Sequence, residues 1–519
     1  MMTSWSSSNY PLPSVMAASS KPTEHNWHPS SLLPYDALPN RQDDFDLIMS
    51  SVKSTAGTGT DFYDRSLTSR RYAFVGVAFS TVISCCCITT GIVIMANRGV
   101  CGAIPLFEED SRLSKEMQTF TLNSLVMICT ESTGFVHSIS LRSALALESR
   151  LRFNTNLRLL TAARGWRNPN GALLNGIMAV LLILSYSSAS VVLYNDFKST
   201  SRTWLTAIAG LPLLLLGVAL FLQVVIALSG VRAVKILTWS SSPFDLTPAL
   251  IHHTQLTPVS FRCMRGVSDV YGGPAKPSES QLSAWLAHPS IRKVVISLWG
   301  LVVACALWAA LITCRPIIID PPVPMQWTFL PDGNYTVVYM SERIGFQWGL
   351  WSLINIAVIQ GPLTLGLHCS ELIANVIQNE RQWRRATSRK GLQAATSPLK
   401  LAFANPLGLV IFAVKPILHW MFGLALGFDG WTTNASYGST VVEFGISMYS
   451  TQIWNLCIAL FIFAIFFTLV ALRRPRGPQP ATYGHLQTLA NLVDEWSPVM
   501  WWGHKEDGIP YCHAGRVLV

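Results

Sequence analysis

Long apolar runs alternate with shorter polar segments through most of this chain. A run of about 20 apolar residues is long enough to cross the ~30 Å hydrocarbon core of a bilayer as a helix. The first run, 73–95, is too long for a cleaved signal peptide. Further runs of similar length follow at 171–194, 204–229, 293–315, 406–428 and 453–472. The pattern therefore predicts a chain that crosses a membrane several times.

Two weaker apolar runs decide how many crossings there are. Segment 117–140 contains Glu131, and segment 346–370 is interrupted at Gly361-Pro362. With both counted, the segments on one side of the membrane hold 30 Lys and Arg, and those on the other side hold seven. The side richer in Lys and Arg is the cytosolic side. We therefore expect an all-α integral membrane protein with about eight transmembrane helices and both termini in the cytosol.

The chain divides into three parts. Residues 1–70 are rich in Ser, Pro and Thr without an apolar period, which predicts a disordered cytosolic N-terminal tail. The eight-helix transmembrane region covers 71–472, and a cytosolic tail covers 473–519. Within that tail, 483–496 has the apolar spacing of an amphipathic helix.

Composition agrees with a membrane protein. Half of the residues are hydrophobic and 13% are charged, whereas soluble proteins carry about 25% charged residues. The net charge of +10 is spread over loops and forms no basic face, so we expect the lipid bilayer as partner and no nucleic acid. The pattern indicates the plasma membrane or an endomembrane and identifies no protein partner or small-molecule substrate.

Motifs of catalysis and metal binding are missing from the sequence. There is no HExxH, P-loop or GxSxG motif, and the eleven Cys form no CxxC pair. We therefore expect no enzymatic activity, no metal site and no cofactor.

The segments assigned to the outside carry sites for covalent modification. Both N-glycosylation sequons, at Asn334 and Asn434, lie in such loops, which predicts a glycoprotein. Cys101 and Cys314 also lie on that side, where the environment is oxidising. They are candidates for a disulfide, and two free thiols are the alternative.

Two charged residues lie near the centre of predicted spans. Glu131 is in the second span and Lys415 is in the seventh, with His419 one helical turn further on the same face. A charge at mid-bilayer costs at least ~2.5–3.5 kcal/mol, so each requires a partner or a cavity. We expect Glu131 and Lys415 to pair. The pair either fixes helix packing or marks a path for a solute or a proton, and a protonated Glu131 is a further alternative.

The predicted tail helix is amphipathic. One side carries apolar residues together with His485, and the other side is acidic at Asp494 and Glu495. Helices that bind anionic lipid place Lys and Arg on the polar side. We therefore expect this helix to pack on the cytosolic ends of the bundle, with His485 buried and hydrogen-bonded.

Several ordered motifs resemble those of one group of proteins. They are SLRSALALESRLRFNTNLRLL, KPILHW, YGHLQTLANLVDEW, WWGHK and HAG. Together they are similar to large fungal multi-pass membrane proteins of unassigned function. The likeness covers about residues 70–515, but Arg516 follows the HAG motif where the group has Thr. It implies a fungal source and a multi-pass membrane architecture, and no activity.

The sequence leaves two functions open. The first is a non-enzymatic scaffold or sensor, because no chemistry is visible in the motifs. The alternative is a transporter or channel that uses Glu131, Lys415 and His419. A closed, dry ion pair would exclude the second function, and a cavity beside the pair would favour it.

Overall fold

The structure, a computed structural model, covers most of the chain after the first predicted tail. It describes residues 67–100, 102–108, 112–198, 203–260, 262–267, 280–319, 327–331, 336–340, 346–393, 405–434, 440–504 and 512–515. These residues all belong to one compact unit, residues 54–519. Nearly all of the predicted N-terminal tail, 1–66, lies outside the described residues.

The described part of the chain is mostly helical. Its α-helices are α1 (Leu67–Arg98), α2 (Arg112–Leu147), α3 (Ala172–Val192), α4 (Gly210–Ala233), α5 (Pro243–His252), α6 (Ala284–Ala287), α7 (Pro289–Ile319), α8 (Phe346–Trp383), α9 (Pro406–Ala425), α10 (Ser450–Leu472) and α11 (Leu486–Leu492). Within these residues, seven helices are long and apolar enough to cross a membrane, namely α1, α3, α4 and α7 to α10.

The all-α description is incomplete, because the described chain also contains nine strands. They are β1 (Ala103–Glu108), β2 (Leu193–Lys198), β3 (Thr203–Ala209), β4 (Thr336–Met340), β5 (Leu392–Gln393), β6 (Leu426–Asn434), β7 (Thr440–Tyr449), β8 (Val499–His504) and β9 (Cys512–Gly515). One sheet has the order β1-β3-β2-β6-β7-β4, and the other has the order β5-β8-β9.

The six-stranded sheet gathers four connections between long helices. Its strands come from the segments that follow α1, α3, α7 and α9. Neighbouring strands are antiparallel except β2 and β6, which pair in parallel with Asn195 opposite Asp429. This side of the bundle is called the sheet end below. The opposite side, which carries the C-terminal segment, is called the tail end.

Helix α2 connects the two ends although its sequence is more polar than the others. It begins shortly after β1 in the sheet, and its 36 residues extend about 54 Å. Near its other terminus, the Arg142 guanidinium donates to Asn154 Oδ1 at 2.9 Å and to the Ser240 carbonyl at 2.5 Å. Asn154 in turn donates its backbone N–H to the Gly484 carbonyl in the C-terminal segment. Helix α2 therefore runs from the sheet end to the tail end.

The apolar core lies inside the bundle, and large apolar side chains also cover its outside. The largest core cluster joins α7 to α10 through side chains such as Ile356, Leu367 and Phe467. On the outer faces, Leu311 is 71% exposed and Val358 is 70% exposed. Apolar side chains on the outer faces are suited to contact with lipid, because exposing them to apolar lipid tails costs no free energy.

The C-terminal segment docks on the tail end through its apolar residues. Leu489 and Leu492 of α11 are buried with Trp383, Phe244 and Met500. The helix is shorter than the predicted 483–496, since it covers only Leu486–Leu492. Its start is set by a left-handed turn, with φ of 46° at Tyr483 and 74° at Gly484.

His485 and His513 of this segment have different environments. His485 caps α11, its Nδ1 accepting the Thr488 N–H at 3.3 Å, and burial together with Arg152 and His288 lowers its pKa to about 4. Burial also opposes the charged form of His513, but hydrogen bonds with Asp494 and Cys263 raise its pKa to about 9. The distance from His513 Nδ1 to Asp494 Oδ1 is 2.9 Å.

Candidate functional site

Lys415 lies in the interior of the bundle. It is on α9, just before Pro416, and only 1% of its surface is exposed. Its ammonium donates to Glu131 Oε1 on α2 at 2.5 Å and forms an ion pair with Glu371 on α8. The two charged residues singled out in the sequence therefore lie in direct contact.

Two further residues belong to this site and were not predicted. They are His368 and Glu371, which are three residues apart and therefore lie on the same face of α8. His368 Nδ1 is 3.4 Å from Glu131 Oε1 and 3.4 Å from Glu371 Oε1. We call Glu131, His368, Glu371 and Lys415 the charged cluster.

The protonation of His368 follows from its neighbours. The Lys415 ammonium lies 3.3 Å from Nδ1, and an ammonium has no lone pair to accept a hydrogen bond. Nδ1 is therefore the acceptor, and a neutral imidazole then carries its proton on Nε2. Nε2 is buried and has no hydrogen-bond partner among the described residues.

Arg158 supplies a second positive charge beside the cluster. It comes from the segment between α2 and α3 and interacts electrostatically with Glu131. Its guanidinium lies directly over Gly134 of α2, where an added Cβ would overlap it. Two carboxylates, two cations and a neutral histidine give this region a net charge of zero.

A separate polar layer lies on the sheet side of the charged cluster. His419, which the sequence places one turn from Lys415, stacks on Tyr186 with ring centroids 3.8 Å apart. Its Nδ1 is 3.1 Å from Gln360 Nε2, and Gln360 also donates to Ser190 Oγ at 3.2 Å. We call Tyr186, Ser190, Gln360 and His419 the sheet-side layer.

A cavity of about 650 Å³ extends from the charged cluster toward the tail end. Glu131, His368 and Glu371 line its inner part, whereas Lys415 is not among its lining residues. The walls come from α2, α8, the start of α9 and the segments 154–159 and 240–242. The ion pair is therefore buried on the side of Lys415 and open to the cavity on the side of the carboxylates.

One face of α8 forms a polar stripe along this cavity. The stripe consists of His368, Glu371, Asn375, Gln378 and Gln382, and each of them lines the cavity. Their alternating spacings of three and four residues keep them on one helical face. Gln378 is only 7% exposed, and its Oε1 has no hydrogen-bond partner within the described part of the chain. The spacing is visible in the sequence and is the signal that would have identified this site.

The remaining predicted features are placed as follows. Helix α8 runs through Gly361-Pro362 without interruption. Asn334 and Cys101 lie outside the described residues. Asn434 is the last residue of β6 at the sheet end, and Cys314 is exposed on α7. Glycosylation and the disulfide stay predictions.

Comparison with known proteins supplies no relative for this site. No protein-family model, curated protein or solved structure matches the chain.

Proposed function

We propose that this chain is a membrane carrier in which the charged cluster is the binding site of the transported species. The observation that carries the proposal is that Glu131 and Glu371 contact Lys415 and also line the cavity. A charge cluster that only fixed helix packing would gain nothing from a cavity of about 650 Å³ beside it. The species would enter from the tail end along the polar stripe.

The arrangement supports access from one end at a time. On the tail side, the carboxylates face the cavity. On the sheet side, the stacked rings of Tyr186 and His419 and the Gln360 hydrogen bonds close the path. Carriers bind their substrates near the middle of the membrane and open alternately to either side. The structure then corresponds to the state that is open toward the tail end.

We also propose that α2 is the eighth transmembrane helix and that both termini lie in the cytosol of a fungal cell, in the plasma membrane or an endomembrane. The Lys and Arg distribution and the crossing of α2 from sheet end to tail end support this arrangement.

A non-enzymatic sensor or scaffold is the second candidate. It is favoured by the tail end, where α11, β8 and β9 pack on the helix termini and create a folded surface. A sensor would bind its ligand in the same cavity but would not open toward the sheet end.

Accessibility to a membrane-impermeant thiol reagent separates the two functions. Single cysteines are introduced into a cysteine-free variant at Asn375, on the tail side of the cluster, and at Ser190, in the sheet-side layer. A carrier exposes Asn375→Cys to reagent added at the tail side and Ser190→Cys to reagent added at the sheet side. Val358→Cys, on an outward apolar face of α8, is the control that reacts from neither side. Protection of Ser190→Cys from both sides would contradict the carrier and favour the sensor.

A further inference from the structure

Arg158 is a cation in the inner part of the cavity that has no direct partner. It lines the cavity and is partly exposed there. Among the described residues, its guanidinium makes no hydrogen bond and no ion pair, and it acts on Glu131 across a longer distance. A guanidinium offers five N–H donors and binds a carboxylate through two parallel hydrogen bonds. Arg158 is therefore available to bind an anionic group inside the cavity.

Gly134 of α2 allows the Arg158 guanidinium to lie against the wall of the cavity. Both residues line the cavity, and a Cβ at Gly134 would overlap Nη1 of Arg158. Gly134 follows Glu131 by three residues, so the guanidinium lies beside the face of α2 that carries this carboxylate. The lack of a side chain at Gly134 therefore sets where an anion bound to Arg158 would lie, one helical turn from the charged cluster.

The charged cluster retains one negative charge that faces the same cavity. The Lys415 ammonium contacts both Glu131 and Glu371, and His368 is neutral, so one positive charge meets two negative charges. The side chains of the two glutamates are 27% and 29% exposed, whereas that of Lys415 is 2% exposed. Both glutamates line the cavity. A cationic group in the cavity would therefore meet the excess negative charge without displacing Lys415.

These two opposite charges favour a solute that carries both signs. Arg158 contributes one positive charge and the charged cluster one negative charge, so their sum is zero. A bound anion or cation would leave a net charge between the membrane helices, which is costly. A zwitterion leaves the sum at zero and pairs with both charges. The cavity volume of about 650 Å³ lies within the range of small-molecule sites.

Resting on the proposed carrier function, we propose that the transported species is a zwitterionic amino acid, with its carboxylate on Arg158 and its ammonium group facing Glu131 and Glu371. Binding makes and breaks no covalent bond, and no group of the protein changes its protonation. The polar stripe then faces the side chain of the amino acid. Gln378 Oε1, which is buried without a partner in the described chain, is an acceptor for a polar side chain.

The test measures binding of tritiated L-amino acids to the purified full-length chain in lipid nanodiscs, by scintillation proximity at neutral pH. The standard amino acids are the probes, and the best-bound one is then compared with two analogues of the same shape. Its carboxamide lacks the negative charge, and its 2-hydroxy acid lacks the positive charge. We expect each analogue to bind at least about tenfold more weakly than the amino acid, because each forms only one of the two charge pairs.

Two variants assign the charges of the amino acid to the two sides of the site. Arg158→Gln removes the anion-binding charge, so the preference for the amino acid over its carboxamide should fall to about one. Glu371→Gln removes the excess negative charge, so the preference over the 2-hydroxy acid should fall in the same way. Each ratio compares two solutes on one protein, and a smaller folded fraction does not change it. Arg167→Gln, at an exposed position of the same segment outside the cavity, should keep both preferences.

Gly134→Ala tests the position of the guanidinium with its charge retained. The added Cβ displaces the flexible end of Arg158, so the variant should also bind the amino acid more weakly and lose part of its preference over the carboxamide. It takes the place of Arg158→Gln where the latter does not elute as a folded monodisperse protein.

Absence of binding by all the standard amino acids, or equal binding of an amino acid and its carboxamide in the wild type, would overturn the amino-acid site. A preference over the carboxamide that survives Arg158→Gln would overturn the role of Arg158. Alternating accessibility of Asn375→Cys and Ser190→Cys without amino-acid binding would overturn only the choice of substrate. Amino-acid binding with a protected Ser190→Cys would instead keep the site and overturn the carrier.

Discussion

At the scale of single residues, Glu380 holds the C-terminal segment to the end of α8. This buried carboxylate accepts the backbone N–H groups of Thr482 at 2.8 Å and Tyr483 at 2.9 Å. Its other oxygen accepts from Arg384 Nε at 2.8 Å. A buried N–H that loses its partner costs ~1–3 kcal/mol, so the carboxylate stabilises the docked turn.

Glu380→Ala should therefore release the segment while the membrane helices stay folded. Hydrogen exchange of residues 482–492 should accelerate by one to two orders of magnitude, corresponding to a loss of about 1–3 kcal/mol. In the described part of the chain, the Glu148 carboxylate accepts hydrogen bonds from Arg150 and from the Arg164 N–H, so Glu148→Ala should leave that exchange unchanged. Identical protection of residues 482–492 in both variants would show that Glu380 does not hold the segment.

Single residues also show which part of the charged cluster could be predicted from the sequence. Glu131 and Lys415 stand out in the sequence because a charge within an apolar run carries a large insertion cost. Glu371 directly follows the apolar run 346–370 and resembles an ordinary boundary residue. Helix α8 continues to Trp383, however, so Glu371 is an interior residue of a long helix. Apolar periodicity marks where a run ends and not where the helix ends.

At the scale of elements, the turn before α11 depends on glycine. Gly484 has a φ of 74°, and a Cβ there would lie 2.5 Å from Asn379 Nδ2 on α8. Gly484→Ala should therefore strain the turn by about 1–3 kcal/mol and weaken docking of α11, measured as faster hydrogen exchange in Leu486–Leu492. Gly503→Ala is the matched control, because a Cβ at Gly503 has no neighbour within 4 Å. Equal exchange in the two variants would contradict the role of the turn.

Elements also show why the strands were not predicted. The apolar spacing correctly predicted which leucines of α11 are buried, since Leu486, Leu489 and Leu492 all lie inside. The same spacing wrongly extended the predicted helix back to Tyr483, because a left-handed turn does not change the pattern of apolar positions. The strand pair β2 and β6 joins Asn195 with Asp429, which are far apart in the sequence. Such pairing is a tertiary contact, and the segments concerned look like short loops between spans.

At the scale of the whole molecule, the two ends have different architectures. The sheet end is built from connections between helices, while the tail end holds α5, α11 and the small sheet. The cavity and the polar stripe approach the charged cluster from the tail end. Lys and Arg are concentrated in the segments at this same end. In the orientation proposed above, a carrier would take up its substrate from the cytosol in the state that the structure shows.

This polarity depends on α2 crossing the membrane, and two cysteine substitutions test the crossing directly. Ile104 in β1 precedes α2 at the sheet end and is 37% exposed, and Trp166 follows it at the tail end and is 72% exposed. In a cysteine-free variant displayed on intact cells or sealed vesicles of known orientation, Ile104→Cys should react with an impermeant maleimide from the non-cytosolic side. Trp166→Cys should react only after permeabilisation, because a spanning α2 separates the two positions.

Trp327→Cys completes this experiment as an independent marker of the sheet end. Trp327 is 59% exposed, and the neighbouring Thr328 carbonyl accepts from Gln452, which lies at the start of α10 beside β7. It should therefore label together with Ile104→Cys. Labelling of Ile104→Cys and Trp166→Cys from the same side would place α2 along one surface of the membrane. Glu131 would then lie outside the hydrocarbon, and its ion pair with Lys415 could not serve as an intramembrane binding site.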